Sequence, residues 1–439
     1  MRIAMLLWGD LIEDFLDPIG ITLDDFRDHM TGGWAFGYID AFQRVGVETD
    51  LICFSARTPR EYKWIHAPTG ASLWVLHSPR LYGMLRRRLA DPYAWTSEDA
   101  IGDVTGVSRG VGIFARHAAP YCATPLLRLA RRLRKERYAA LLCQEYEYPR
   151  FDVCAALGVL LQLPVFATFQ GGDYQLTLLE PKVRPHSLRV CNGVIVGSSR
   201  EAARLQNRYH IPREKVARIF NPFEVEAWAI DRDSQARRQL GIPPDDRVVA
   251  WHGRVELHRK GLDVLCHAWQ LLSCDDPHAH LVLLGTGADA DELHRRIESM
   301  QLPRVHWVDE YVVDRSVIQR HLSAADVYVF PSRHEGFPMA PIEAMASGLP
   351  VVAADASGVS DIFENGETSG GLVVRREDGP ALAEGLRRVL GNDAWRRELG
   401  RRARRRVETA FGPVSVGRQL QEFLVRRSTR TGTGPKPLV

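Results

Sequence analysis

The sequence has no apolar run near the roughly 18 to 20 residues that a membrane-spanning helix requires. Its seven cysteines are scattered and include no C-x-x-C pair, which is typical of reduced thiols in the cytosol. The opening stretch MRIAMLLWGD predicts a strand rather than a signal peptide. No basic run is interleaved with aromatic residues as nucleic-acid stacking platforms require. We therefore expect a cytoplasmic protein that does not bind nucleic acid.

Strand-like and helix-like segments alternate along almost all of the 439 residues. Such alternation predicts an α/β protein with mostly parallel sheets, and the length allows two or three domains. The alternation stops in a segment around Asn221–Asp246 that is rich in Pro, Asp and charged residues, which predicts a linker. We predict an N-terminal domain 1–221, a linker 222–246, a C-terminal domain 247–412, a last helix 413–427 and a disordered tail 428–439.

The most informative segment reads VFPSRHEGFPMAPIEAMASGLPVVAAD and spans 329–355. Glu335 lies in its turn of Gly and Pro, and Glu343 lies in the helix that Pro341 is predicted to open. Backbone amides of 336–340 would crowd the N-terminus of this helix, which favours an anion there. Helix chemistry alone would explain two such glutamates about as often as a ligand would. Buried strands are predicted on both sides of this helix, at Val327–Phe330 and at Leu349–Ala354. This strand–helix–strand context decides, because open α/β sheets bind ligands at the carboxyl ends of their strands.

A basic pair forms the second candidate site. Gly253 and Arg254 follow the predicted strand Val248–Trp251, and Lys260 precedes the next predicted helix. A guanidinium and an ammonium near one helix N-terminus can neutralise a diphosphate. Neutralisation would stabilise the diphosphate as it leaves a sugar. Ordinary surface charge is the alternative interpretation of this pair when it is taken alone.

Together the two motifs point to one family. The spacing of Glu335 and Glu343 resembles the E-x7-E signature of retaining GT-B glycosyltransferases of the family 4 type, also called glycosyl transferases group 1. Arg254 and Lys260, each beside a glycine, resemble that family's G-R…K-G element. The resemblance implies two Rossmann-like, doubly wound domains that face each other across a cleft, with the last helix crossing back to the N-terminal domain. It implies a retaining glycosyltransferase of the hexosyltransferase type that uses a UDP- or GDP-linked sugar and a hydroxyl acceptor (a glycan, a lipid-linked molecule or a small molecule).

The resemblance also implies roles for residues of the C-terminal domain. Arg254 and Lys260 would hold the diphosphate, Glu335 would accept a hydrogen bond from a sugar hydroxyl, and Glu343 would accept from the ribose. Arg254, Lys260 and Glu335 are therefore the predicted catalytic residues. The other predicted donor-binding residues supply backbone groups or allow close approach: Gly253, Gly285, Tyr311, Val312, Gly336, Phe337, Pro338, Met339 and Ala340.

On the acceptor side, the resemblance points to Gly32, Gly33, Gln170 and Asp173. Many relatives carry a His where this chain has Gln170, and an amide cannot act as a general base. A same-face (SNi-like) mechanism remains available, because the departing phosphate oxygen can itself take the acceptor proton. The run 145–147 holds two glutamates that are candidates for the acceptor pocket, with a surface loop as the alternative.

No metal and no cofactor are expected. The sequence has no D-x-D motif placed to bind a metal, and the basic pair would supply the neutralisation that a metal would otherwise give. Two alternatives stay open. One is a non-catalytic nucleotide-sugar-binding protein, which Gln170 keeps open, and the other is a GT-B epimerase or phosphorylase.

A further hypothesis concerns the membrane. Leu81, Met84, Leu85 and Leu89 recur at helical spacing beside Arg86–Arg88. This pattern is typical of a basic amphipathic helix on an anionic membrane surface, although a helix that faces the core has the same periodicity. The hypothesis is a peripheral contact with the inner face of the membrane.

Overall fold

The computed structural model describes residues 1–17, 20–31, 33–90, 92, 97–103, 105–169, 178–228, 234–312, 314–335, 338–356 and 358–429. The chain divides into two compact units, Met1–Phe223 with Pro413–Val439, and Glu224–Gly412. Each unit is built on its own, mostly parallel sheet, which confirms the predicted α/β class. Within the described ranges, no helix is both long and apolar enough to cross a membrane.

The first unit contains an eight-stranded sheet. Its strands are β1 Arg2–Leu6, β2 Glu48–Ser55, β3 Tyr62–Ile65, β4 Ser72–His77, β5 Ala140–Cys143, β6 Val165–Thr168, β7 Gly193–Val196 and β8 Val216–Arg218. The strand order is β3-β4-β2-β1-β5-β6-β7-β8, and all neighbours pair in parallel except β3, which is antiparallel to β4. The helices are α1 Leu23–Asp28, α2 Gly33–Gln43, α3 Arg80–Arg86, α4 Ser97–Ile101, α5 Gly106–Cys122, α6 Leu126–Lys135, α7 Pro149–Leu161, α8 Glu180–Val190, α9 Ser199–Tyr209 and, at the far end of the chain, α18 Pro413–Thr429.

Helices cover both faces of this sheet, so its central strands are apolar throughout. Successive residues of a strand point to opposite faces. Ile3 and Met5 of β1 accordingly pack in one core with residues of α2 and α18. Ala4 and Leu6 pack in a second core with residues of α6 and α7.

The second unit contains a six-stranded, fully parallel sheet in the order β11-β10-β9-β12-β13-β14. Its strands are β9 Arg247–His252, β10 Ala279–Leu284, β11 Val305–Val308, β12 Val327–Phe330, β13 Val351–Ala354 and β14 Gly371–Val374. Its helices are α10 Ser234–Gln239, α11 Leu262–Asp275, α12 Ala290–Ser299, α13 Arg315–Ser323, α14 Ala340–Ala346, α15 Val359–Ile362, α16 Gly379–Leu390 and α17 Asp393–Ala410. One core joins β9 and β10 to α11 and α16.

The structure changes the interpretation of two predicted segments. The predicted linker 222–246 contains a 3-10 helix, Val225–Trp228, and α10, and all but its first two residues belong to the second unit. Arg237 of α10 donates to Asp326 (2.7 Å), which fastens α10 beside the start of β12. The predicted tail begins inside a helix, because α18 extends to Thr429. Residues 430–439 lie outside the described part of the chain.

Candidate functional site

Four adjacent strand ends form one edge of the second sheet. Register pairs Val308 of β11 with Leu284 of β10, and Leu284 with His252 of β9. The loops after these three strands therefore leave the sheet at the same level. The loop after β12 leaves the same edge, because β12 runs parallel to β9 beside it. Ligands of open α/β sheets bind at such carboxyl ends, and the predicted donor-binding residues lie in these loops and in the turn and helix that follow β12.

Two glycines allow these loops to pack against one another. Gly285 has φ 127°, and a Cβ added there would lie 2.0 Å from the carbonyl oxygen of Gly253. Gly261 has φ 65°, and a Cβ added there would lie 2.0 Å from the carbonyl oxygen of Pro331. Both positions have the positive φ that side chains rarely adopt. The glycines thus hold the loop after β9 against the loops after β10 and β12.

Lys260 and Glu335 form an ion pair across two of these loops. Lys260 Nζ lies 2.9 Å from Glu335 Oε1, and the two side chains are 20% and 8% exposed. Attraction between charges that are withdrawn from water is stronger than at a fully exposed surface. The sequence predicted Lys260 beside a phosphate and Glu335 beside the sugar bonded to it. Their contact brings these two predicted site residues together.

His252 and Glu343 form a second pair beside the first. His252, at the end of β9, is buried, and its Nε2 lies 2.7 Å from Oε2 of Glu343. Tyr328 fixes the position of His252, because its hydroxyl donates to the His252 carbonyl (3.2 Å) and accepts from the His252 amide (3.4 Å). The resemblance implies a ribose role for Glu343, and the sequence offers His252 as a candidate for the cleft, with a structural role as the alternative. No local spacing predicts that these two residues meet.

Arg254 belongs to neither of these pairs. Its side chain is 70% exposed, and its guanidinium contacts Glu256 at 3.5 Å. Attraction in so exposed a pair is weak. The amide of neighbouring Gly253 donates to the carbonyl of Leu284 (3.0 Å), so the backbone here is fixed while the Arg254 side chain extends into solvent.

Arg333 ties the loop of Lys260 to the loop of Glu335, and the sequence gave no signal for it. Its guanidinium donates to both carboxylate oxygens of Asp263 (2.7 and 2.8 Å) and to the His258 carbonyl (2.7 Å). Burial by itself would raise the pKa of Asp263, but the hydrogen bonds and charge of Arg333 outweigh it, so the pKa lies below its ordinary value. The carboxylate of Asp263 therefore stays charged and holds Arg333 in place.

The turn before α14 is only partly described. Gly336 and Phe337 lie outside the described residues. Pro338 is buried, and α14 begins at Ala340, directly after Met339. Pro341 stands in its first turn, as the sequence predicts, and Glu343 follows one position beyond Ile342. Glu343 therefore lies in the first turn of the helix, with its side chain directed to His252.

The loop after β11 carries the residues predicted to recognise the base. Tyr311 is 70% exposed and Val312 is half-buried. Beside them, His294 stacks on Trp307 with ring centroids 4.0 Å apart, and the indole N–H of Trp307 donates to the Gly285 carbonyl (2.9 Å). This flat, aromatic surface adjoins the glycine turn after β10.

Most of the predicted acceptor residues cannot be placed. Gly32, Gln170 and Asp173 lie outside the described residues, and Gly33 begins α2. Glu145 and Glu147 are buried, which rules out a surface loop for them. Glu147 forms an ion pair with Arg204. This carboxylate therefore contributes to the structure of the first unit.

The acidic segment that follows β1 contains a buried carboxylate. Asp10 is buried and accepts from Arg150 (2.8 Å). Burial raises the pKa of Asp10 to about 6, although Arg150 opposes the rise. The neighbouring cavity, lined by Trp8, Tyr82 and Tyr148, has a volume of about 40 Å³.

Across the part of the chain that the structure describes, no group of three or more His, Cys, Asp or Glu side chains is arranged to hold a metal ion.

Two stretches of the chain match the models of known protein families. Residues 232–406 match the family model of Glycosyl transferases group 1, and residues 90–227 match that of Glycosyltransferase Family 4. A D-inositol 3-phosphate glycosyltransferase from Nocardia farcinica is 30% identical over 217 residues, which cover 48% of this chain and 47% of that protein. The chain spans about half the length of such curated relatives.

Two solved structures are similar over nearly the whole chain. Anabaena Alr3699/HepE in complex with UDP has a TM-score of 0.67 at 17% identity, covering 97% of this chain and 100% of that one. Sucrose-phosphate synthase from Thermosynechococcus elongatus has a TM-score of 0.64 at 22% identity, covering 98% and 100%. Likeness at these identities concerns the fold, and it confirms the predicted GT-B fold.

Proposed function

From two glycosyltransferase domains in a GT-B fold, we propose that this chain moves a hexosyl group from a nucleotide diphosphate sugar to a hydroxyl acceptor with retention of configuration. The observation that carries the proposal is the pair of contacts Lys260–Glu335 and His252–Glu343 at adjacent strand ends. One cation and two carboxylates at a strand's carboxyl edge match the phosphate, sugar and ribose of a single donor.

In the proposed reaction, Lys260 compensates the charge that develops on the diphosphate as the bond from sugar C1 to phosphate oxygen breaks. Arg254, which is exposed and has a flexible side chain, adds a second cation once donor is bound. Glu335 accepts a hydrogen bond from a sugar hydroxyl and orients the ring. The acceptor oxygen bonds to C1 on the same face, and the departing phosphate oxygen takes the acceptor proton.

Glu343 is proposed to accept hydrogen bonds from the ribose, with His252 as the residue that positions it. Replacing Glu343 with Ala is expected to weaken binding of the nucleoside diphosphate about 10- to 100-fold, because hydrogen bonds to a charged group are lost. Replacing His252 with Ala is expected to weaken binding less. The double variant should then bind no more weakly than Glu343→Ala, because both changes act through one carboxylate.

Calorimetric titration of the nucleoside diphosphate measures these affinities. The 2′-deoxynucleoside diphosphate is the matched control ligand. It should bind wild type more weakly than the nucleoside diphosphate does, and the change Glu343→Ala should reduce its affinity by a smaller factor. Equal affinity of wild type and Glu343→Ala for the nucleoside diphosphate would count against the ribose role.

The proposed chemistry requires no metal, because Lys260 and Arg254 neutralise the diphosphate. Dialysis against EDTA is expected to change the turnover of the donor by no more than about twofold, since no step is assigned to a metal's Lewis acidity. Release of nucleoside diphosphate measures it, with Mg²⁺ added back as the control. Strict dependence on the added Mg²⁺ would refute the proposed metal independence.

A non-catalytic nucleotide-sugar-binding protein is the second candidate, favoured by Gln170 at a position where many relatives have histidine. A thermal-shift panel of UDP-, GDP-, ADP- and TDP-sugars identifies the donor, and UDP-glucose comes first because the Anabaena protein was also solved with it. The bound donor is then assayed for slow hydrolysis. Binding with turnover supports the transferase, whereas binding without release of nucleoside diphosphate supports the sensor.

The proposed location is the cytoplasm, which suits a chain whose seven cysteines are all free thiols. The acceptor is a glycan, a small molecule or a lipid-linked molecule. A lipid-linked acceptor requires contact with a membrane.

A further inference from the structure

Arg333 contacts the loop after β9 on both sides of Lys260. Its guanidinium donates to the carbonyl of His258 and to the carboxylate of Asp263, two residues before and three residues after Lys260. The backbone amide of Arg333 donates to the carbonyl of Arg259 in the same loop (2.9 Å). The segment that carries Lys260 is therefore fixed on both sides of that residue.

The same side chain reaches a third loop, which follows β14. Nε of Arg333 lies 3.2 Å from Oε1 of Glu377, and the Arg376 guanidinium donates to the Arg333 carbonyl (3.2 Å). Glu377 has φ 63°, in the left-handed region that residues other than glycine rarely adopt. Such conformations persist where the surrounding structure holds them, and they cluster at functional sites. Arg333 thus joins the loops after β9, β12 and β14.

The ion pair of Arg333 with Asp263 contributes more to position than to stability. The Arg333 side chain is 8% exposed. Withdrawing two charges from water costs about as much free energy as their attraction returns, so a buried ion pair adds little to the free energy of unfolding. A planar guanidinium that bonds both oxygens of one carboxylate has little freedom to move. The pair therefore fixes where the loops on either side of it lie.

We propose that Arg333 is a positioning residue of the transfer, which holds Lys260 where the diphosphate of the donor binds. Its contacts with His258, Asp263 and Glu377 form what we call the Arg333 clamp. An ammonium stabilises developing charge best when it is already in place, since no reorganisation is then needed during the reaction. The inference rests on the proposed function for the role of Lys260.

Two variants test the clamp. Arg333→Gln/Asp263→Asn removes both charges, so it leaves neither partner buried and unpaired, which would destabilise the fold. Arg333→Lys keeps a cation but loses the forked donor geometry. Thermal unfolding shows which variants are folded, and either variant alone is sufficient for the measurements that follow.

Calorimetry compares UDP with UMP and GDP with GMP, and the base that binds wild type more tightly is followed. Wild type should prefer the diphosphate at least about tenfold. The double variant should lose most of this preference, and Arg333→Lys should lose part of it. Affinity for the monophosphate should stay within about twofold in both, because the pair of His252 and Glu343 is unchanged. A general loss of structure would instead weaken binding of both nucleotides.

Turnover of the donor separates positioning from a structural role. The double variant should release nucleoside diphosphate about 10- to 100-fold more slowly than wild type, since a small displacement of a catalytic group is costly. In the Lys260→Ala background the same two changes should cost at most about threefold, because the residue that they position is absent. Loss by the same factor in both backgrounds would show a purely structural role and overturn the proposal.

Arg237→Gln is the matched control. Arg237 is 14% exposed and donates to Asp326 (2.7 Å) beside the start of β12, the strand that Arg333 follows at its other end. Asp326 keeps a second partner, Arg396 at 3.3 Å, so this change also leaves no unpaired charge. The control should keep the diphosphate preference and the turnover of wild type within about twofold. Equal loss in the control contradicts a role specific to Arg333.

Failure of the proposed function gives a different result from failure of the clamp. If wild type prefers the diphosphate but releases none from any nucleotide sugar, the transferase is refuted, and the preference of the variants still decides about the clamp. If the double variant equals wild type in preference and turnover, the clamp is refuted and the proposed function stands. Wild type without any preference for the diphosphate overturns the clamp, because Lys260 would then hold no phosphate.

Discussion

Replacing Lys260 with alanine is expected to lower donor turnover about 10²- to 10³-fold, the usual cost of losing one group that stabilises charge in the transition state. Lys260 lies 2.9 Å from Glu335, so its ammonium is held at the predicted junction of phosphate and sugar. Negative charge on the diphosphate grows as the sugar leaves, and the variant lacks the ammonium that Glu335 holds in place. Release of nucleoside diphosphate per unit time measures the effect.

Arg259→Ala is the matched control for this change. Arg259 is the preceding residue, its side chain is 55% exposed, and it pairs with Glu256 at 3.3 Å. Turnover in this control should stay within about twofold, because an exposed ion pair contributes little. Lys260→Arg should recover part of the rate by restoring the charge. Full activity of Lys260→Ala would refute its assigned role, provided that its thermal unfolding shows a folded protein.

Acid is expected to destabilise the second unit through His321, by about 3 kcal/mol at pH 4. His321 of α13 is buried behind the site, with Nε2 3.1 Å from the carbonyl oxygen of Trp251. Burial, and next the neighbouring imidazole of His252, lower its pKa from 6.5 to about 3. The unfolded chain takes up this proton near pH 6.5, whereas the folded chain does not. The contribution of His321 to the free energy of unfolding is therefore fully present above about pH 7 and is lost as the pH falls toward 3.

Urea unfolding between pH 7.5 and pH 4 measures this dependence. His321→Asn removes the titrating group, so its stability should fall less steeply with acid than that of wild type, even if it is lower at pH 7.5. The exposed His258, replaced with Gln, is the control and should leave the wild-type slope unchanged. Equal slopes for wild type and His321→Asn would show that His321 does not carry the effect.

The strand–helix–strand unit around the glutamates could be predicted closely from local chemistry. The predicted strand Val327–Phe330 has the bounds of β12. Pro341 stands in the first turn of α14, because its fixed φ suits that position. The next strand begins at Val351, two residues later than predicted, and Pro350 lies directly before it. Proline has no N–H to donate to a neighbouring strand.

The partners of the site residues could not be predicted, because they come from distant parts of the chain. His252 meets Glu343 across 91 residues, and Arg333 meets Asp263 across 70. Such contacts follow from strand order and register in the folded sheet, and local spacing carries no information about either. Closeness in sequence likewise does not determine the surroundings of Arg254 and Lys260. The two residues are close in sequence, yet Lys260 contacts Glu335 while the side chain of Arg254 extends into solvent.

The exposed apolar residues of α5 escaped sequence analysis for a related reason. Apolar residues at helical spacing predict one buried face, whichever direction that face takes. In α5, small residues such as Gly112 and Ala115 face the core, and the large residue Phe114 faces solvent. Only the packing of neighbouring helices decides which face is covered.

The central claim is that Lys260 holds a diphosphate, and paired titrations test it most directly. Calorimetry compares the nucleoside diphosphate of the identified donor with its monophosphate, in wild type and in Lys260→Ala. Wild type is expected to bind the diphosphate at least about tenfold more tightly, since a charge-assisted hydrogen bond to the second phosphate is worth more than about 1.4 kcal/mol, and this preference should nearly vanish in the variant. Equal affinity of wild type for both nucleotides, or an unchanged preference in Lys260→Ala, would contradict the account.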